Sequence, residues 1–150
     1  MYKRILVPVD GSDTAARGLR EAIGLAAEQK ATLRLLHVID DYPMLVELAS
    51  VAAYEETMEH LRAYGRKQLA SAQGSAQEAG LQVETQLRET TGQRVGDVIV
   101  EEARQSGCDL IVMGTHGRRG FSRMMMGSDA ELVLRASPVP ILLVRSAEPG

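Results

Sequence analysis

The sequence predicts a single α/β domain in which five parallel strands form one open sheet with helices on both faces. Short apolar runs alternate along the chain with segments of helical periodicity, which is typical of parallel strands joined by helical crossovers. The chain has 150 residues, the size of one domain. Its apolar content of 45% and charged content of 25% are ordinary for a folded globular protein, so a disordered chain is not expected.

The first strand and the first helix follow from the apolar pattern near the start of the chain. Residues 4–9, RILVPV, form an apolar run that ends at Asp10 and is predicted to be a buried strand. A turn comes next, in which Ser12 or Asp13 can cap the helix predicted over residues 14–29. The apolar side chains that share one face of this helix are Ala15, Leu19, Ala22, Ile23 and Ala26.

The middle of the chain contains two strands separated by a long helical insert. Residues 32–39 form the second predicted strand. Residues 44–79 are predicted as one long helix, or as two helices with a break near residues 49–53. Residues 83–89 form a third, more exposed strand, because apolar and polar side chains alternate along it. The residues that weaken the insert helix in isolation, by about 1 kcal/mol each relative to alanine, are Gly65 and Gly74.

The last third of the chain continues the alternation. Residues 95–105 are predicted to form a helix, with Gly107 as its C-terminal stop signal. Residues 109–113, DLIVM, form a fourth strand. A short helix over residues 129–136 and a fifth strand over residues 140–145 complete the domain.

The composition excludes several classes of protein. The chain has 17 basic and 20 acidic side chains and few aromatic ones, so neither charge attraction to nucleic acid nor base stacking is expected. Cys108 cannot form an internal disulfide, and its apolar surroundings favour a small buried side chain over a redox switch. No apolar run reaches the roughly 18 residues of a membrane span, so a cytoplasmic protein is expected. The domain is predicted over residues 1–145, with residues 146–150 as a short tail.

The candidate site lies beyond the carboxyl ends of the strands, where open parallel sheets bind ligands. Asp10 follows the first strand, a position that favours ligand contact over a simple turn cap. The connection from Gly114 to Ser128 is long for a strand-to-helix loop. Its glycines let backbone N–H groups approach an anion, and a helix N-terminus favours negative charge, so the pattern indicates a polyphosphate cradle. The alternative that the glycines only form turns stays open. The arginines that add local positive charge are Arg118, Arg119 and Arg123.

This loop carries a resemblance to a known family. The spacing Gly114-x2-Gly117-x9-Gly127-Ser128 resembles the G-2x-G-9x-G-(S/T) motif of the ATP-binding branch of the universal stress protein family. The segment from Ile5 to Ser12 is similar to that family's first strand, and the later apolar strands occur in the family's order. The resemblance implies a Rossmann-like sheet of the adenine nucleotide alpha hydrolase type, with strand order 3-2-1-4-5.

The resemblance also implies which residues face the nucleoside. Asp10 would accept hydrogen bonds from ribose or adenine, and Pro8 and Val9 would line the same cleft. Val38 would contact adenine through its backbone, and Met113 would lie beside the ribose and phosphates.

A second set of residues is implied for the phosphates. Gly114 would lie beside them, and Gly117, Gly127 and Ser128 would hold them with backbone N–H groups and one hydroxyl. Asp129 stands where the family often has an apolar residue, and its backbone N–H can still serve. The remaining members of the predicted cofactor-binding set are His116 and Arg118.

The resemblance implies an ATP-binding protein that acts as a nucleotide-dependent dimeric switch or stress-response factor. The dimer would form through the last strand, residues 140–145, and Mg²⁺ would accompany ATP. Two alternatives stay open, a slow ATPase or phosphoryl-transfer enzyme and a nucleotide-free dimerisation module. For the enzyme, His116 and Asp129 are the only general-base candidates near the phosphates, and no catalytic residue or metal site is predicted. The spacing is equally compatible with ADP, AMP or a cyclic nucleotide.

Overall fold

The computed structural model describes residues 1–48, 50–116 and 126–145. Strands and helices alternate along this part of the chain, apart from two consecutive helices in the long insert. In chain order the elements are β1 (Arg4–Pro8), α1 (Asp13–Gln29), β2 (Thr32–Asp40), α2 (Tyr42–Glu47), α3 (Val51–Glu78), β3 (Val83–Thr90), α4 (Val95–Gln105), β4 (Leu110–Gly114), α5 (Ser128–Ala136) and β5 (Ile141–Val144).

The five strands form one parallel sheet in the order β3-β2-β1-β4-β5. Pro8 of β1 lies opposite Leu36 of β2, and Ile5 of β1 lies opposite Leu110 of β4. The chain therefore builds outward from β1 first to one side and then to the other. This confirms the predicted fold class and strand order.

The predicted elements are all present, and their ends differ from the prediction by at most two residues. The insert is two helices rather than one. The backbone N–H of Leu48 closes α2 on Met44 O at 2.9 Å, and Ser50 then caps α3 by accepting from Ala53 N at 3.1 Å. A serine cap specifies a new helix start, so the break falls where the cap residue stands.

The apolar core lies on both faces of the sheet. Helices α1 and α3 cover one face, and α4 and α5 cover the other. The buried row of α1 shares Ala22 and Ala26 with the predicted stripe, but Leu19 and Ile23 of that stripe are only partly buried. Small side chains occupy that row instead, which lets the helix approach the sheet closely: a Cβ added at Gly18 would lie 3.6 Å from Gly114 N. The buried residues of α1 are Thr14, Gly18, Ala22 and Ala26.

A network of ion pairs lies between α4 and strands β2 and β3, on the sheet face that α4 and α5 cover. Glu102 of α4 is 3% exposed and accepts from Arg34 Nε at 2.6 Å and from Arg88 Nη1 at 3.1 Å. Glu84 of β3 accepts from Arg34 at 2.8 Å and from Arg4 at 2.6 Å. The polar side chains of β3 were predicted to be exposed. Because Glu84 and Arg88 form ion pairs, α4 can cover part of this strand. We call this set the α4 charge network; its members are Arg4, Arg34, Glu84, Arg88, Glu101 and Glu102.

Two expectations drawn from composition can be compared with the described residues. Cys108 is 4% exposed, and burial raises the pKa of its thiol, which confirms the buried interpretation. Within residues 1–48, 50–116 and 126–145, no helix has both the length and the apolar character that a membrane crossing needs.

Candidate functional site

The strand order reverses between β1 and β4, so the crevice expected to bind a ligand lies beyond their carboxyl ends. Val9 and Asp10 follow β1, and Thr115 and His116 follow β4. The first turn of α1 joins the two sides, because the Thr14 hydroxyl donates to the backbone oxygen of His116. Residues that are about 100 positions apart in sequence therefore meet at one edge of the sheet.

The backbone after β1 is held by two aromatic side chains. Val9 O and His37 Nδ1 lie 2.6 Å apart, and because a carbonyl only accepts, Nδ1 carries the proton. Tyr64 Oη of α3 donates to Asp10 O at 3.3 Å, and its ring packs edge-on against His37 at 6.0 Å between centroids. Gly11 has φ +85°, and a Cβ there would lie 2.1 Å from Tyr64 Oη, so this turn requires glycine.

One oxygen of the Asp10 carboxylate accepts a hydrogen bond within the turn after β1, and the other is available to a ligand. Its Oδ1 accepts from Ser12 N at 2.9 Å, and Ser12 Oγ in turn accepts from Ala15 N at 3.2 Å, which confirms Ser12 as the N-cap of α1. Within the described residues, Oδ2 of Asp10 has no hydrogen-bonding partner. Asp10 can therefore accept a hydroxyl or amino hydrogen from a ligand without losing its turn.

The carboxyl end of β4 and the start of α5 are tied together. Thr115 N donates to Val144 O at 3.0 Å, and Thr115 O accepts from Gly127 N at 2.7 Å. The Gly127 N–H, predicted to contact phosphate, is therefore engaged within the protein. Thr115 Oγ1 also lies 3.0 Å from His116 Nδ1.

The first turn of α5 offers the N–H groups of Ser128, Asp129 and Ala130, which have no intrahelical acceptor. Its N-cap, Gly127, has no side chain that could satisfy them. The neighbouring helices differ: Ser12 caps α1, and Asp129 Oδ1 accepts from Gly96 N of α4 at 2.9 Å.

The carboxylate of Asp129 thus serves the start of α4, while its backbone N–H belongs to the uncapped turn of α5. This turn suits an anion.

The other predicted site residues fall into three groups. Pro8 and Val38 are half-buried at the ends of β1 and β2. Met113 is buried in the core beneath α4 and α5. Gly114 has a packing role, because a Cβ there would lie 2.8 Å from Thr14 Cβ. The predicted residues that lie outside the described part of the chain are Gly117, Arg118, Arg119 and Arg123.

Sequence reasoning missed the residues that position this edge. His37 lies within the predicted second strand, and its bond to Val9 O was not foreseen. Tyr64 and Thr14 contact residues 54 and 102 positions away, and no local pattern signals such contacts. The one available signal was Gly65 within a long helix, since glycine in a helix interior indicates a close neighbour.

Comparison with known proteins gives one consistent family. The chain matches the sequence profile of the universal stress protein family over residues 1–145. The universal stress protein MJ0531 of Methanocaldococcus jannaschii is 34% identical, over 97% of this chain and 83% of that protein. The universal stress protein YxiE of Bacillus subtilis is 33% identical, over 97% of this chain and 100% of that protein.

Solved structures agree with the fold. The hypothetical protein MJ0577 superposes with a TM-score of 0.88 at 28% identity, covering 99% of both chains. A universal stress protein in complex with cAMP superposes with a TM-score of 0.64 at 26% identity, covering 97% of this chain and 98% of that one.

Proposed function

This chain belongs to the universal stress protein family, and on that premise we propose that it binds an adenine nucleotide, ATP in the first instance, at the β1–β4 crevice. The observation that carries the proposal is that Asp10, with Oδ2 left for a ligand, and the uncapped first turn of α5 both lie at the carboxyl edge of the sheet. A carboxylate oxygen suits a ribose or adenine donor, and a helix N-terminus suits phosphate. The related protein that holds cAMP supports the choice of an adenine nucleotide.

The nucleoside and the phosphates would bind at opposite ends of the crevice. Asp10 would bind the nucleoside together with Pro8, Val9 and the backbone of Val38. The backbone N–H groups at the start of α5 and the Ser128 hydroxyl would bind the phosphates. Met113 and Gly114 form the crevice floor through their backbone. The loop after β4 would add three further residues to the phosphate end, which are the motif residue Gly117 and its neighbours His116 and Arg118.

Mg²⁺ usually accompanies ATP, so it would enter with the phosphates of the nucleotide. The activity we propose is binding in the cytoplasm, with nucleotide occupancy altering what a dimer presents to partners. Such a switch requires the two states to differ in nucleotide affinity.

The nucleotide test uses protein purified without added nucleotide. Wild-type protein, denatured and analysed by chromatography and mass spectrometry, is expected to release adenine nucleotide. By titration calorimetry, Gly117→Val should weaken ATP binding at least about 100-fold, since side-chain bulk would oppose phosphate approach. Asp10→Asn keeps Oδ1 for Ser12 N and replaces the free acceptor with a donor, so about tenfold weaker binding is expected.

The control is Gly74→Val, because a Cβ at Gly74 meets nothing within 4 Å. This variant should bind ATP as the wild type does. Wild-type protein that releases no nucleotide and shows no calorimetric affinity for ATP, ADP, AMP or cAMP would overturn the proposal.

We also propose a homodimer through β5. This strand is a sheet edge, and Leu142 is 40% exposed on it. Exposed apolar edge strands invite pairing with another chain, and symmetric pairing would satisfy the backbone and cover the side chain.

Leu142→Glu is expected to convert a dimer to a monomer in sedimentation velocity, because it would place two like charges opposite one another. Val51→Glu, at an exposed apolar residue on α3, should leave the dimer intact. A wild-type monomer at high micromolar concentration, or a dimer insensitive to Leu142→Glu, would contradict this assembly.

A further inference from the structure

Helix α2 turns its apolar stripe outward, which is the reverse of an ordinary surface helix. Tyr42, Leu45 and Val46 stand at positions i, i+3 and i+4 and are 56%, 51% and 65% exposed. Val51 at the start of α3 is 79% exposed, and no residue of α2 is buried. Grouped apolar exposure of this kind marks an interaction site. We call Tyr42, Leu45, Val46 and Val51 the α2 patch.

The start of α2 is fixed by Asp41, the residue that precedes the helix. The Asp41 carboxylate is buried and accepts from Thr91 Oγ1 and Tyr54 Oη, each at 2.5 Å. These two bonds lower the pKa of the Asp41 carboxyl, which keeps it ionised at neutral pH. Asp41 O also accepts from the backbone N–H groups of Met44 and Leu45, both at 3.1 Å.

The segment of chain that carries the α2 patch is acidic. Residues 35–61 contain six of the 20 acidic side chains of the protein and none of its 17 lysines and arginines. Asp41 is used internally, and Glu59 pairs with Arg62 at 3.0 Å. The exposed acidic residues nearest in sequence to the patch are Glu47, Glu55 and Glu56.

We infer that the α2 patch docks a cationic amphipathic segment of a partner protein. The apolar stripe would receive the apolar face of that segment, and the acidic rim would pair with its lysines or arginines. The same acidic rim opposes the other occupants. A second copy of this chain would bring like charges together, and an anionic membrane surface would repel the rim. The inference does not depend on nucleotide binding.

The test uses a fluorescein-labelled peptide of about 14 residues, built from leucine and lysine at helical spacing, with the full-length protein. Fluorescence anisotropy should show saturable binding, and a peptide with glutamate in place of every lysine should not bind. NMR shift changes should centre on α2 and the start of α3.

The matched variants are Leu45→Ser and Leu134→Ser, because these leucines are 51% and 52% exposed and only the first lies in the patch. Leu45→Ser should weaken peptide binding about tenfold, whereas Leu134→Ser should leave it unchanged. The double variant Glu55→Gln/Glu56→Gln should weaken binding and reduce its salt dependence, and Glu21→Gln/Glu28→Gln on α1 should do neither. Urea unfolding checks that each variant is folded.

Three outcomes would overturn the inference. Equal binding by Leu45→Ser and the wild type would mean that the peptide binds elsewhere. Equal binding of the anionic peptide would remove the charge argument. A change in oligomeric state in Leu45→Ser would show that a second copy covers the patch.

Discussion

Glu102→Gln is expected to lower the free energy of unfolding by about 3 kcal/mol, because it removes the buried anion shared by two arginines. Glu102 is 3% exposed and contacts both Arg34 and Arg88. We place the effect at the low end for a broken buried pair, since each arginine retains a second partner. Arg34 keeps Glu84 at 2.8 Å, and Arg88 keeps Glu101 at 2.6 Å.

The measurement is urea unfolding followed by circular dichroism, with a lower midpoint at an unchanged m-value. The control is Glu131→Gln, which removes the same charge from an exposed pair with Arg135 and should leave the midpoint unchanged. If Glu102→Gln lowers the free energy of unfolding by less than about 1 kcal/mol, water must hydrate the two arginines readily once the carboxylate is gone. The α4 charge network would then be a solvated surface rather than part of the core.

Gly65→Val is expected to destabilise the protein by about 3 kcal/mol and to weaken nucleotide binding, although valine is the better helix former. A Cβ at Gly65 would lie 2.6 Å from His37 Cδ2 and 3.0 Å from Leu87 Cδ1. Displacing His37 would loosen its bond to Val9 O and its ring contact with Tyr64, whose hydroxyl donates to Asp10 O.

The same substitution elsewhere on α3 provides the control. Gly74→Val meets nothing within 4 Å, so its stability should be unchanged or higher by a few tenths of a kcal/mol. Thermal unfolding and ATP calorimetry on both variants separate packing from helix propensity. Equal behaviour of the two variants would show that α3 does not pack on His37 through Gly65.

Much of the fold was predictable, because its signals are local. Residues 95–105 were predicted as a helix and are one, since apolar periodicity reports directly on the buried face. Asp10 and Ser12 were assigned to the sheet edge and to a helix cap from their places after β1, and the structure has both there. Strand order came with the family resemblance, and the structure confirms it.

Two glycines have packing roles that the local sequence did not predict. Gly65 was interpreted as a weak point in a helix, whereas the structure uses it to admit His37. Gly114 was assigned to phosphate approach, and the structure adds a packing requirement from Thr14. In each case the deciding neighbour comes from another element, so propensity could not reveal it.

The amino-acid order by itself determined the alternation of strands and helices, the helix caps and the family motif, because each depends on residues within one short segment of the chain. Only the tertiary structure decided that Tyr64 and His37 hold the β1 terminus, that Asp129 caps α4, and that α2 faces outward. These outcomes depend on distances between segments far apart in sequence, and such distances exist only after the sheet has closed against its helices.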